Sequence, residues 1–389
     1  MKETVKVALL IETAREYGRG LLRGVSRYAR LHGRWAFYIT PGDFAQAVPK
    51  MNQWGGTGII ARLETPQMAR AILKSRLPVV ALDLSHGQLA AGDPLARVCE
   101  VRSDSWAAGR LAAEHLLERG FVHYAFAGVP NRIWSERRQE GFCEHLKAAG
   151  HSISCYPAPA KRNREWAREQ SILAAWIAAL PKPVGLMACN DDRGREVLEA
   201  CRAAGIRVPE DVAVIGVDND ELLCDLADPP LSSVALDAER GGYEAAALLD
   251  RLMQGRIRKP HRIVVAPTGV VTRRSTDVIA MEDREVAAAL RYIHDRAGEP
   301  ISVDEIVRSM AVSRRSLEIR FRKVVNRSIH SEIQRVHLQR AQQLLRETDL
   351  SIAVVARRSG FGSASYLSSV FSGSAGMTPA RYRTHIRSR

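Results

Sequence analysis

The sequence has few of the features that mark membrane, secreted or disulfide-bonded proteins. No apolar run is long enough to span a bilayer. The first apolar stretch ends at Glu12 without a small-residue cleavage site, which predicts an opening strand and not a signal peptide. The six cysteines all precede residue 225 and show no CxxC spacing, so we expect reduced core residues without a disulfide or metal role. These absences predict a cytoplasmic protein.

Catalytic and cofactor motifs are also missing. We find no phosphate-binding glycine loop, no GxSxG motif and no metal-spaced histidine pair. His330 and His337 lie seven residues apart on a predicted helix, without a third ligand nearby. A periplasmic transport receptor is not predicted, because it would need a signal peptide. A methyl-transfer repair protein is not predicted either, because no cysteine lies in a recognisable acceptor context. The sequence therefore predicts neither an enzyme nor a bound cofactor or metal.

Acidic residues are scarce in the last part of the chain. Residues 306–389 contain sixteen Lys and Arg against four Asp and Glu, which accounts for +12 of the net charge of +14. All of these basic residues except Lys323 are arginines. Guanidinium groups fit phosphates and guanine edges, and clustered positive charge releases counterions from a polyanion. A basic surface can also be merely solvated, but the helix pattern in this segment favours nucleic acid.

Residues 351–383 carry the most informative motif. Ser351 precedes an apolar-periodic run, Gly360-Phe361-Gly362 forms a turn, and a second helix is predicted over 363–372. One face of that helix carries Tyr366, Leu367, Val370 and Phe371. A last helix has its cap, its first-turn proline and an inward aromatic side chain at Thr378, Pro379 and Tyr382. Two helices joined by a glycine turn form a helix-turn-helix unit, whose second helix enters the major groove.

A second unit of this kind is predicted upstream. Ser302 and Glu305 form a capping-box pattern, and Ser313 caps the next helix, 313–325. The residues predicted to face the core are Leu317, Phe321 and Val324. The residues left outward are Arg314, Arg315, Glu318, Ile319 and Arg322. Helices over 284–296 and 328–347 complete the predicted all-α domain.

The outward residues of the two recognition helices are the candidate DNA contacts. Arg314 and Arg315 are predicted to reach base edges, because they begin the first recognition helix, and Glu318 can accept from a cytosine amine. Arg322 lies on the same outward face, and phosphate contact or simple solvation stays open for each of these residues. The second recognition helix offers only small uncharged side chains, among them Ser363, Ser365 and Ser368. It is therefore predicted to contribute backbone contacts and register more than sequence reading.

The first 275 residues predict a different fold. Buried parallel strands are predicted over residues 5–11, 58–61, 79–83, 124–128, 184–190 and 212–218. Amphipathic helices are predicted over residues 20–32, 106–119, 136–149, 166–180, 192–204 and 239–254. Alternation of this kind indicates an α/β domain with parallel sheets.

Polar residues follow four of the predicted strands. They are Glu12, Thr13, Asp83, Asn190, Asp191, Asp218, Asn219 and Asp220. A single carboxylate after a strand is usually a helix cap. Four such strand ends in one domain indicate a polyhydroxylated or cationic ligand, because ligands of parallel sheets bind beyond the carboxyl ends of the strands.

The C-terminal motif resembles the signature of AraC/XylS-type transcription regulators. The matching residues are Ser351, Ile352, Ala356, Gly360, Phe361, Tyr366, Phe371, Gly376, Pro379 and Tyr382. The resemblance implies a pair of helix-turn-helix units that bind operator DNA. The chain departs from that family at Ser372-Gly373, where a basic pair usually follows the phenylalanine.

Segments of the first domain resemble the effector domain of LacI/GalR-type regulators. They include PVVALDLS, SERRQEGF and MACNDDRGREVLEACRAAGIRVPEDVAVIGVDND. The resemblance implies a two-lobed periplasmic-binding-protein-like fold that closes on a sugar. By its motifs, the sugar contacts would be Asp83, Arg138, Asn190 and Asp218. We expect Arg138 and Asp218 to be replaceable without loss of the fold, because both lie at ends of elements.

Trp134 is a further candidate for the sugar site. It lies one helical turn before Arg138, so both side chains can project into one cleft. Its indole could stack on an apolar sugar face. The alternative, that Trp134 is an ordinary core residue, is equally compatible with the sequence.

The order of the domains differs from the LacI/GalR pattern, in which the helix-turn-helix comes first. A LacI-like effector domain followed by an AraC-type domain resembles the XylR-type xylose operon regulators, and VTRRSTD at residues 271–277 is similar to that group. The resemblance implies an effector domain over 1–276, a linker over 277–283 and a DNA-binding domain over 284–389. It also implies a D-xylose-dependent activator that works as a homodimer and recruits RNA polymerase. A repressor, or a regulator that responds to a different sugar, remains the alternative.

Overall fold

The computed structural model describes residues 4–39, 54–63, 65–85, 87–157, 166–257, 259–277, 283–310, 312–325 and 327–387. The chain divides into two compact units between residues 278 and 279.

The first lobe of the N-terminal unit is built on a six-stranded sheet. Its strands are β1 (Val5–Leu10), β2 (Trp35–Ile39), β3 (Gly58–Arg62), β4 (Val79–Leu82), β5 (Cys99–Ser103) and β11 (Arg262–Val265). All neighbours pair in parallel, in the order β11-β5-β4-β3-β1-β2. Alternate residues of β1 enter two separate apolar cores, one on each face. Helices cover both faces, as a parallel sheet requires; they are α1 (Glu16–His32), α2 (Pro66–Ser75) and α8 (Ala238–Met253).

The second lobe repeats this plan. Its strands are β6 (His123–Ala127), β7 (Ile153–Cys155), β8 (Val184–Ala188), β9 (Val212–Val217), β10 (Ser232–Leu236) and β12 (Pro267–Val271). Their order is β12-β10-β9-β8-β6-β7, and only the edge strand β12 runs antiparallel. The helices are α3 (Ser105–Leu117), α4 (Ile133–Ala148), α5 (Trp166–Ala179), α6 (Asp191–Ala203) and α7 (Glu221–Leu226). The chain crosses between the lobes after β5, β10 and β11.

The predicted α/β class is confirmed, and each predicted strand and helix exists near its expected bounds. The sequence missed six strands, which are β2, β5, β7, β10, β11 and β12. Several of them are edge strands with exposed positions, and β5 carries Glu100 and Arg102. Five of the six are short or interrupted by polar residues, glycine or proline, and so lack the continuous apolar run that marks a central parallel strand. The exception is β2, which is apolar throughout but lies at the edge of its sheet.

The cysteine prediction needs one correction. All six thiols are free, and four are buried, but Cys143 is half-buried and Cys155 is exposed. Cys155 ends β7 at the edge of the sheet, where one side of the strand faces water.

The C-terminal unit is all-α. Its helices are α9 (Arg284–Asp295), α10 (Val303–Arg308), α11 (Arg314–Val325), α12 (Ile329–Glu347), α13 (Ile352–Arg358), α14 (Ala364–Ala375) and α15 (Pro379–Arg387). The long helix α12 contributes its first half to one apolar core and its second half to another, so that each helix-turn-helix has its own core. The capping box of Ser302 and Glu305 is present.

The predicted core faces of the recognition helices are largely confirmed. Leu317 and Phe321 of α11 are fully buried, whereas Val324 is half-buried beside the buried Val325. Tyr366 is the exception, because it is exposed at the edge of the apolar face of α14. Its hydroxyl accepts a hydrogen bond from Gln334 Nε2 at 2.7 Å, which satisfies the polar end of the ring outside the core.

Candidate effector cleft and DNA-binding surfaces

Five sequence-predicted residues meet in one cavity between the two lobes. The cavity is lined by the predicted Asp83, Trp134, Arg138, Asn190 and Asp218. It is also lined by Glu12, Arg15, Tyr17, Arg62 and Ser103. The polar strand ends converge here because the carboxyl ends of parallel strands share one edge of each sheet.

The first-lobe wall is a buried ion-pair cluster. Arg62 ends β3 and places Nε 3.1 Å from Glu12 Oε2, and its Nη1 lies 3.0 Å from Asp83 Oδ2. The Ser103 backbone N–H donates to Asp83 Oδ1 at 3.2 Å. The guanidinium of Arg62 also lies 5.3 Å from the ring of Tyr17, and burial raises the pKa of that phenol. This wall therefore presents oriented carboxylates against one fixed cation.

Arg138 and Asp218 form the opposite wall. Arg138 Nη2 lies 2.8 Å from Asp218 Oδ1, and Arg138 Nη1 donates to the Cys189 carbonyl at 2.5 Å. Burial raises the pKa of Asp218, while the Arg138 charge opposes that rise. The buried Nε of Arg138 has no hydrogen-bond partner among the residues that the structure describes. A donor in this position can serve a ligand oxygen without breaking an existing bond.

The helix that carries Arg138 is held close to its neighbour. A Cβ added to Gly109 of α3 would lie 2.1 Å from the Arg138 carbonyl oxygen, so α3 and α4 touch backbone to backbone. Trp134 is half-buried one turn before Arg138, and its ring lies 5.2 Å from the guanidinium. The indole therefore lines the cavity and does not lie in the apolar core.

Asn190 has a structural duty as well as a place in the cavity. Its Oδ1 caps α6 by accepting from the Arg193 backbone N–H at 3.0 Å. Asp220 likewise caps α7. Both residues therefore also have the ordinary role of a polar residue after a strand, which is to cap the next helix.

The sequence did not identify Arg62, Tyr17, Arg15 or Ser103 as site residues. Arg62 carried a detectable signal, because a charged residue directly follows the apolar run 58–61. The place of Tyr17 depends on how α1 begins after β1, which no local pattern reports.

The cavity is small as the lobes stand. Its volume is about 20 Å³, which is room for about one water molecule. Two ion pairs join the lobes beside it, Arg15 Nε to Asp192 Oδ2 at 2.7 Å and Arg19 Nη2 to Asp220 Oδ2 at 2.6 Å. A sugar ring therefore requires the lobes to part or the lining side chains to move.

The predicted DNA contacts of the first unit lie on the exposed face of α11. Arg314, Arg315, Glu318 and Arg322 are all exposed. The guanidinium of Arg314 is paired with two carboxylates of the protein. Its Nε lies 2.9 Å from Glu318 Oε1, and its Nη1 lies 2.6 Å from Asp304 Oδ1. Arg315 forms no hydrogen bond or ion pair with the residues that the structure describes. Arg315 therefore reaches DNA at a lower cost than Arg314.

The second unit presents an uncharged surface. Ser363 caps α14 by accepting from the Tyr366 backbone N–H at 3.1 Å. Ser365 is exposed and Ser368 is half-buried. These side chains can donate to phosphates, but they supply no charge to release counterions.

None of the helices within the described ranges is both long and apolar enough to cross a bilayer. No cluster of three His, Cys, Asp or Glu side chains there has the arrangement of a metal site.

Protein-family models match three parts of the chain. They are the XylR N-terminal domain over residues 6–97, a periplasmic binding protein-like domain over 113–276 and a helix-turn-helix domain over 306–385.

Full-length relatives match as well. The xylose operon regulatory protein of Escherichia coli K12 is 33% identical over 382 residues, which cover 97% of this chain and 96% of that protein. Its Haemophilus influenzae counterpart is 32% identical over 97% of this chain and 98% of that protein. A solved structure of the xylose-binding transcription activator XylR is 32% identical, with a TM-score of 0.79 over 98% of both chains. The chain therefore belongs to the family of xylose operon regulatory proteins, which are transcription regulators with a sugar-binding effector domain and an AraC-type DNA-binding domain.

Proposed function

We propose that this protein is a D-xylose-responsive activator of pentose catabolism genes. In this proposal residues 1–276 bind the sugar, residues 284–389 bind the operator, and residues 277–283 join them. Residues 278–282 of that linker lie outside the described residues. The observation that carries the proposal is that five predicted polar and aromatic residues line the interlobe cavity of this chain. The chain is also similar over almost its full length to a xylose operon regulatory protein.

The cavity has the groups that a pentose needs. Carboxylates such as Asp83 and Asp218 accept hydrogen bonds from sugar hydroxyls, and the free Nε of Arg138 donates to a sugar oxygen. The amide of Asn190 can bridge a further hydroxyl, and Trp134 offers an aromatic face to the C–H side of the ring. Sugar binding then favours the closed lobes through its differential affinity for that state.

Calorimetric titration with a panel of sugars tests which sugar is the effector. We expect D-xylose to bind more tightly than L-arabinose, D-ribose, D-xylulose and D-glucose, because the full-length relatives of this chain are xylose operon regulatory proteins. A different sugar that binds at least tenfold more tightly would replace xylose in this proposal and leave the regulator class intact.

The sign of regulation and the assembly are part of the same proposal. The family resemblance supports a cytoplasmic homodimer that reads two half-sites and contacts RNA polymerase. Transcription with purified RNA polymerase should rise on addition of D-xylose. A fall would identify a repressor, and sedimentation of the protein as a monomer on its operator would overturn the dimer.

Arg315 should read one base pair of the operator. Selection from random DNA should show that Arg315→Ala relaxes the preference at one position by about 1–3 kcal/mol. The matched control is Arg340→Ala, an exposed arginine of the joining helix α12, which should weaken all sequences alike or none. An unchanged sequence preference in Arg315→Ala would make that residue a phosphate contact.

A further inference from the structure

The segment that precedes the linker is anchored inside the second lobe. Ser275 and Thr276 are fully buried, although both are polar. Ser275 Oγ donates to the Val214 carbonyl of β9 at 2.6 Å and accepts from the Ser232 backbone N–H of β10 at 2.8 Å. Thr276 Oγ1 donates to Ser232 Oγ at 2.7 Å. These bonds fix residues 275 and 276 to β9 and β10, two neighbouring interior strands of the lobe.

Helix α3 and the turn that follows it hold the same segment from the other side. His115 Nε2 lies 2.8 Å from Thr276 Oγ1, and Arg119 Nε donates to the Thr276 carbonyl at 2.7 Å. Both the hydroxyl and the carbonyl of Thr276 are therefore bonded to the lobe, one residue before the predicted linker begins at 277. A displacement of the lobe interior reaches the linker without a flexible joint between them.

Arg273 connects this segment to the cleft. Its Nη1 donates to Asn219 Oδ1 at 2.9 Å and to the Leu231 carbonyl at 3.1 Å. Its Nε makes a separate bond of 3.0 Å to Asp225, whose side chain is 68% exposed. Arg273 therefore bonds Asn219 through its terminal Nη1. The bond from its Nε to Asp225 faces water.

Asn219 belongs to a turn that takes part in the cleft on both sides. Asp218, the residue before it, lines the cavity and pairs with Arg138. Asp220, the residue after it, forms the interlobe ion pair with Arg19 of the first lobe. Three consecutive residues therefore contact the effector cavity, the segment before the linker and the opposite lobe.

The turn is held in an unusual backbone conformation. Asp218 and Asn219 have φ values of 106° and 48°, in the left-handed region that residues other than glycine rarely adopt. The Asn219 backbone N–H donates to Ser233 Oγ at 3.0 Å, and that of Asp220 donates to the buried Asp191 at 2.7 Å. Strained backbone of this kind persists where the surroundings determine it, and it is frequent at switch regions.

We propose that Asn219 and Arg273 transmit effector occupancy from the cleft to the linker. When sugar engages Asp218 and the lobes close on Asp220, the turn moves as one piece. Arg273 then carries that movement to the segment 272–277. Both residues are positioning residues, because neither lines the cavity that we assign to the sugar. This route rests on the proposed binding of xylose in that cavity.

Asn219→Gly is the direct test. Glycine tolerates the left-handed φ, so this change removes the acceptor of the Arg273 bond while keeping the turn. The probes are D-xylose and DNA selected by the wild-type protein from a random pool. We expect the affinity for each ligand alone to stay within about threefold of wild type. The factor by which xylose tightens DNA binding should fall towards one.

Three further variants make the result specific. Asn219→Asp keeps the acceptor and should restore the coupling factor. Arg273→Met should lose it, as Asn219→Gly does. Asp225→Ala removes only the exposed bond of the same arginine and should keep it in full.

Two outcomes separate the route from the proposed function. Full xylose control of DNA binding in both Asn219→Gly and Arg273→Met would overturn the route and leave the proposed function standing. Absence of any xylose effect in the wild-type protein would instead overturn the proposed function, and the route with it.

Discussion

Asp218→Asn should weaken D-xylose binding by one to two orders of magnitude. The change keeps the shape of the side chain but removes the charge that strengthens its bonds to sugar hydroxyls. A hydrogen bond to a charged group contributes about 1.5–3 kcal/mol, which is roughly a tenfold to 150-fold change in Kd. Arg138→Ala should produce a loss of similar size, because it removes the unpaired Nε donor along with the partner of Asp218.

These variants will also be less stable, contrary to the expectation from the sequence. Asp218 directly follows β9, but Arg138 lies inside α4 and not at its end. Their side chains are only 11% and 4% exposed, and they pair with each other. Removing one partner of a buried pair costs about 3–5 kcal/mol of stability. Thermal unfolding must therefore confirm a folded effector unit before each titration.

The matched control is an Arg–Asp pair of the same lobe in which the arginine is exposed and the aspartate is half-buried. Arg207 Nη2 lies 2.5 Å from Asp211 Oδ1, and the two residues are four positions apart in sequence. This pair is far less buried than the cleft pair, so Arg207→Ala should leave the affinity for xylose unchanged. Folded Asp218→Asn and Arg138→Ala proteins that both bind xylose as wild type does would show that the sugar site lies elsewhere.

Gly360→Ala should abolish operator binding and leave xylose binding intact. Gly360 has a φ of 76°, and an added Cβ would lie 2.4 Å from His337 Nε2 and 2.6 Å from the Glu299 carbonyl oxygen. The left-handed backbone alone costs a residue with a Cβ about 1–2 kcal/mol. His337 is buried and the carbonyl belongs to the backbone, so neither neighbour can yield cheaply. The helix-turn-helix units should therefore unfold at a lower temperature.

Gly362→Ala is the control for this prediction. Gly362 belongs to the same turn, but an added Cβ there would have no atom within 4 Å. Its operator affinity and unfolding should match wild type. Equal behaviour of the two alanine variants, in gel shift and in calorimetric unfolding, would show that the turn does not require glycine at 360.

The DNA-binding unit was predictable because its signals are local. Ser351 and Ser302 cap helices within three residues of their partners, and the turn around Gly360 is contiguous in sequence. Tyr366 departed from the prediction because its hydroxyl finds Gln334, a residue 32 positions away that no helical period reports.

The cleft was predictable only in part. Asp83, Asn190 and Asp218 follow apolar strands, so topology alone brings them to one edge. Arg62 was missed because its role is tertiary, since its carboxylate partners follow two other strands of the sheet. Likewise, the bond between Asn219 and Arg273 spans 54 residues and becomes visible only when β9 and the segment before the linker are packed together.

In the proposed function the binding of sugar and the binding of operator DNA are coupled, and reciprocal titration tests this coupling most directly. The affinity for selected DNA is measured without xylose and at saturating xylose, and the affinity for xylose is measured without DNA and at saturating DNA. Linkage requires the same factor in both directions. We predict that each ligand tightens the other by the same factor, at least fivefold. Affinities for DNA that are equal with and without saturating xylose would contradict the account.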